Sequence, residues 1–111
     1  MTLVFHTELE SRWSSFPLVF QMANIGAEVG RTINWTKKGN KEMAKNALYR
    51  GLELVDFTVE DPKNINSLGE ILRMRELLVD YFVGDNIYKS TDENWNKYFY
   101  YFNYAARNLA S

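Results

Sequence analysis

Apolar residues recur at i, i+3, i+4 and i+7 in four stretches separated by chain breakers, and this spacing is what most limits the fold of this chain. In the first stretch, from Pro17 to about Trp35, one face carries Val19, Met22, Ala23, Gly26, Val29, Gly30 and Ile33. Pro17 suits a first helical turn, where its missing N–H costs nothing. Gly26 and Gly30 each cost a helix up to ~1 kcal/mol relative to alanine. With Ala23 and Ala27 they make a smooth strip that lets another helix come close. Thr36-Lys37-Lys38-Gly39-Asn40 reads as a basic last turn followed by a glycine stop.

The second helix is predicted from Asn40 or Lys41 to Val59, with Ala44, Ala47, Leu48, Gly51, Leu54 or Val55, and Thr58 inward. Asp61-Pro62 ends it, because the residue before a proline is pushed out of the helical region. Lys63 to Asn66 reads as a polar loop, and Ser67-Leu68-Gly69-Glu70 as a capping box. The third helix runs to Phe82 with Ile71, Met74, Leu78 and Tyr81 or Phe82 inward, and Gly84 closes it. Ser90-Thr91-Asp92-Glu93 opens the last helix, whose stripe is Trp95, Phe99, Phe102, Ala106 and Leu109. Short connections make successive helices antiparallel neighbours. The expected architecture is an all-α, antiparallel, up-down four-helix bundle. It forms one domain over residues 1–111, with a short N-terminal arm (Met1 to Phe5) that Trp13 and Phe16 pack onto the bundle.

Composition narrows the function classes. An apolar fraction of 46% and a net charge of −1 exclude a disordered chain and any global field towards nucleic acid or an anionic surface. The absence of cysteine removes disulfides, thiolate metal sites and a cysteine nucleophile. No run of 18 apolar residues predicts a membrane span, and Met1 to Glu10 lacks the pattern of a signal peptide, so a cytoplasmic location is expected. The single histidine, His6, falls in the arm, with no visible partner for acid–base work.

Four clusters carry candidate chemistry. Glu53 and Asp56 lie one turn apart on helix two, as do Glu76 and Asp80 on helix three; two such pairs suit Mg²⁺ held by oxygen ligands. All-helical nucleotide pyrophosphohydrolases of the MazG type use the similar pattern E-x-x-E then E-x-x-D. The plainer reading is an acidic face ion-paired to Arg73 and Arg75. Asn24, Glu28, Arg31 and Trp35 share one face of helix one, either solvated or as a buried network at a helix contact. Between Arg31 and Arg50 six basic residues face one acid, Glu42. Such a patch neutralises phosphates, or is simply solvated surface. The run from Tyr98 to Phe102, then Tyr104, puts aromatic rings on every side of helix four. That exceeds what a solvent face needs and points to an interface through Tyr98, Tyr101 and Tyr104, most simply in a homodimer.

Helix three, from Glu70 to Phe82, contains Arg75, Asp80 and Tyr81 in the order R-x-x-x-x-D-Y. In a helical chain of this length it resembles the HEPN group of small bundles, which often pair with nucleotidyltransferases. The resemblance implies a dimer whose cleft is lined by Arg75, Asp80 and Tyr81 with Arg31. Many HEPN proteins cleave RNA with an R-x(4–6)-H motif at that cleft. Here Asp80 stands at the histidine position, so a non-enzymatic accessory subunit is expected. No cofactor is implied. Its partner would be a second copy, a nucleotidyltransferase or a nucleic acid. The alternatives are the Mg²⁺-dependent hydrolase and a structural oligomer without a ligand.

Overall fold

Pro17, at φ −63° and ψ 156°, is the last extended residue before the first long helix, α1 (Leu18–Lys37). It caps the helix rather than entering its first turn, because its carbonyl already accepts the amides of Phe20 and Gln21 at 3.0 and 3.1 Å. Gly39, at φ 76°, makes the left-handed reversal that few other residues tolerate. Asn40 then caps α2 (Lys41–Glu60), its side chain accepting the Met43 amide at 3.1 Å. The computed structural model describes residues 10–110; His6 and the Met1 to Phe5 arm lie outside the described residues.

The expected polar loop after Asp61-Pro62 is a 3-10 helix, Pro62–Ser67, that feeds directly into α3 (Leu68–Phe82). For that reason the predicted capping box does not form. Ser67 makes no side-chain cap bond, and the Leu68 amide is satisfied from Ile65 in the preceding 3-10 turn. The last helix, α4 (Asp92–Ala110), does start as its sequence promised. The Thr91 hydroxyl accepts the Asn94 amide at 3.1 Å, and Asp92 and Glu93 sit in the first turn, where the helix dipole favours negative charge.

Among the described residues the elements are helical throughout, and the four long helices form a four-helix bundle. α1 is its centre, packing against both α2 and α4, while α3 leans on α2. Glycine decides how closely these partners approach. A Cβ at Gly26 would lie 2.7 Å from Phe99 Cβ of α4, and one at Gly51 would lie 3.3 Å from Glu28 Cβ. Gly30, the other half of the predicted smooth strip, faces open space.

The core joins Met22, Ile25, Val29 and Ile33 of α1 to Leu54 and Val55 of α2, Ile71, Met74 and Leu78 of α3, and Trp95 and Phe99 of α4. Burying each such aliphatic side chain contributes about 1.5–3 kcal/mol. Trp13, expected only to pin the arm, belongs to this core itself, in a 3-10 turn over Trp13–Ser15. Leu109 does not close the α4 stripe: Arg107, Asn108 and Leu109 are all exposed, so the last turn stands clear of the packed helices.

Candidate functional site

A buried polar network anchors the Trp13 turn. The Trp13 indole N–H donates to Thr58 Oγ1 at 2.9 Å, and Gln21 Nε2 donates to Trp13 O at 2.9 Å and to Asp61 Oδ2 at 2.8 Å. Asn64 Nδ2 returns a bond to Gln21 Oε1 at 2.8 Å, and Lys63 Nζ pairs with Asp61. Burial alone would push the Asp61 carboxyl up. The bonds from Lys63 and Gln21, with the Lys63 charge, outweigh it and hold the group below its ordinary value. Each member satisfies another, so this cluster is structural. The sequence reading missed it because its residues lie as far as 45 positions apart.

The residues singled out from sequence also find partners within the chain. Arg75 Nε donates to Asp56 Oδ1 at 2.8 Å, tying α3 to α2. Asp80 accepts the amides of Ile87 and Tyr88 at 2.9 and 3.1 Å, which folds the chain between α3 and α4 into a defined turn. Tyr81 donates its hydroxyl to Asp92. Arg31 pairs with Glu28 at 2.9 Å, and Glu28 also takes Arg50 of α2 at 3.2 Å, so this part of the polar face is a network between α1 and α2. Asn24 turns instead to Phe20 O of its own helix, at 2.8 Å. Thus Arg31 belongs to the α1–α2 contact, Arg75 to the α2–α3 contact, and Asp80 and Tyr81 to the α3–α4 connection. These four residues are not brought together.

Nor are the four carboxylates. Asp56 faces Arg75, Glu76 accepts the Tyr88 hydroxyl at 2.8 Å, Asp80 is committed to two amides, and Glu53 is buried in α2. Among the described residues no group of three or more histidine, aspartate or glutamate side chains is placed to hold a metal ion. In the basic stretch, Lys38 lies over the Trp35 ring at 5.1 Å and Lys45 over Tyr49 at 5.5 Å. Lys41 and Lys45 border a concavity of about 440 Å³ between α1, α2 and the end of α3. Of the predicted interface tyrosines, Tyr101 and Tyr104 are 68% and 54% exposed, whereas Tyr98 is half-buried and turns towards α3.

That turn marks the most site-like feature. Because α4 docks on α1 through Phe99 and Gly26, it stands off from α3 and leaves a groove of about 300 Å³. Its apolar floor is Met74, Leu77 and Trp95, and Glu70, Arg73, Ser90, Asn94 and Tyr98 form the polar surround. The Tyr98 hydroxyl donates to Glu70 Oε1 at 3.3 Å across one end, and the Tyr81–Asp92 bond crosses one turn beyond the other. Burial, then Asp92, pushes the Tyr81 phenol up to about 12; burial and Glu70 likewise raise Tyr98. Both phenols stay protonated and keep donating across the seam.

The Trp95 indole N–H is buried and has no acceptor among the described residues, whereas Arg73, at the groove's edge, is exposed to solvent and makes no ion pair among them. Trp95 reads in sequence only as a core residue; that its N–H would go unmatched depends on which helices surround it. No described helix is long and apolar enough to cross a membrane. Compared with known proteins, the chain matches no family model, no curated protein and no solved structure.

Proposed function

We propose that this chain is a non-catalytic helical interaction module, an accessory subunit in the manner of the HEPN bundles that α3 resembles, and that it self-associates through α4. The observation that carries this reading is the outward face of α4. There Tyr100, Tyr101 and Tyr104 are 61%, 68% and 54% exposed. Tyr100 and Tyr104 stack on each other with centroids 6.4 Å apart, so the rings already form a continuous surface. Tyrosines contribute large apolar area while their hydroxyls keep a hydrogen bond at a rim, which is why they are enriched in interfaces.

The engagement of Arg75, Asp80 and Tyr81 in bonds within the chain supports a binding role over RNA cleavage, since those side chains hold helices and a turn together. A second copy is the first partner we assign to the tyrosine face, and a nucleotidyltransferase in the cytoplasm is the heterologous one implied by the resemblance. The test is sedimentation across a concentration series for wild type and Tyr101→Glu. A wild-type dimer that the substitution converts to monomer supports the reading. A monomer in both removes self-association and leaves the tyrosines to another protein.

A further inference from the structure

We propose that the tyrosine face of α4 pairs antiparallel with the same face of a second copy, Glu93 of each chain meeting Arg107 of the other. This pairing takes the self-association reading as its premise and sets its orientation and register. Glu93, Tyr100 and Arg107 follow one another at seven-residue intervals, with Lys97 and Tyr104 between them, so the five are spaced alternately four and three apart. That is the heptad spacing of a helix seam, and it lays the five side chains along one side of α4. All five are exposed, and Glu93, Lys97 and Arg107 make no ion pair among the described residues. The other side of α4 is spent inside the molecule, where Trp95, Phe99 and Ala106 are buried.

Charge separates the ways in which two such seams can meet. A parallel pair in register sets Glu93, Lys97 and Arg107 each against its own copy, three like-charged contacts. A two-fold axis at Tyr100 gives the antiparallel pair instead. Tyr100 then packs on the partner's Tyr100, Lys97 comes opposite the partner's Tyr104 as a cation beside a ring, and Glu93 comes opposite the partner's Arg107. The last two contacts each occur twice, as two-fold symmetry requires. Other antiparallel registers are worse. Setting Tyr100 on the partner's Tyr104 brings Lys97 against the partner's Arg107, and a slide the other way leaves Arg107 beyond the start of the partner's helix at Asp92. Exposed ion pairs add little affinity, but placed this way they fix register and reject the wrong orientation. The rings supply the area and the charges supply the direction.

Sedimentation of the whole chain is expected to give a wild-type dimer whose affinity falls about tenfold in Glu93→Arg and in Arg107→Glu. An equimolar mixture of the two variants is expected to recover the wild-type affinity, because opposite charges face each other again in the mixed dimer. Recovery also shows that both variants fold. The chain has no cysteine, so introduced thiols report orientation directly. Glu93→Cys and Arg107→Cys, oxidised together, should form a crosslinked heterodimer. Glu93→Cys alone should not, since fourteen positions, roughly 21 Å of helix, separate its two copies along the pair, well beyond disulfide reach. A wild-type dimer unmoved by either charge reversal, or a disulfide between two copies of Glu93→Cys, would overturn the antiparallel pairing and leave self-association standing. A wild-type monomer at every concentration overturns both.

Discussion

Trp13 and Trp95 are buried almost equally, at 2% and 5% exposure, yet they sit in regions of opposite construction. Around Trp13, every polar group answers another: the indole meets Thr58, Gln21 bridges the Trp13 carbonyl and Asp61, and Asn64 closes the ring of bonds. Around Trp95, α4 sits close on α1 at Gly26, two tyrosine bonds span its seam with α3, and an indole N–H is left unmatched. A satisfied network fixes one arrangement of the chain, because losing any member strands the rest. A seam whose buried donor has no acceptor is held less firmly by its own bonds. The difference lies in the neighbours and not in the tryptophan.

The same substitution at both sites tests this most strongly. Trp13→Phe loses ring area and the bond to Thr58, and should cost roughly 2–3 kcal/mol in urea unfolding. Trp95→Phe loses similar area but also removes an unmatched donor, so its cost should stay below about 1 kcal/mol. Equal costs would erase the contrast.

A smaller effect is expected at the glycines that set the helix spacing. Gly26→Ala places a methyl 2.7 Å from Phe99 Cβ, close to the α4 backbone, and should cost about 1–3 kcal/mol by forcing α4 away. Gly30→Ala meets nothing within 4 Å and should stabilise by up to ~1 kcal/mol through helix propensity. Thermal melts of the two variants shifting in the same direction would contradict the close approach at Gly26.

The smallest effect is in pH, and it divides the regions by sign. Asp61 is held below its ordinary value of 3.8, so its folded charge stabilises fully above about pH 4 and the contribution fades as pH falls through the lower folded value. Tyr81 moves the other way, from 10.0 to about 12, so its contribution is whole below pH 10 and fades between there and about 12. Asp61→Asn should therefore flatten the acid limb of a stability profile, and Tyr81→Phe the alkaline limb. A loss of both limbs in either variant would show that the two regions unfold through one shared contact.

Much of the fold is legible in local pattern. The inward faces of α2 and α3, the glycine reversal at Gly39 and the start of α4 near Thr91 follow from periodicity and capping, which act within one or two turns of the chain. The 3-10 helix over Pro62–Ser67 escaped because a Ser-x-x-Glu pattern names a cap only when the preceding backbone is extended. The candidate site was far less legible. Arg75 and Asp80 stand out as chemistry in sequence, whereas their bonds to Asp56 and to the Ile87 and Tyr88 amides make them part of the framework.

By itself, then, the sequence determined four helices, their inward faces and a surplus of aromatic rings on α4, because spacing along a helix is a local property. Tertiary structure alone decided that α1 would be central, that Gly26 and not Gly30 would receive a neighbour, and that α3 and α4 would part around a groove. It also decided which buried donors found acceptors. Those outcomes depend on which faces meet across long separations, where one close contact, Phe99 on Gly26, sets the spacing of everything beside it.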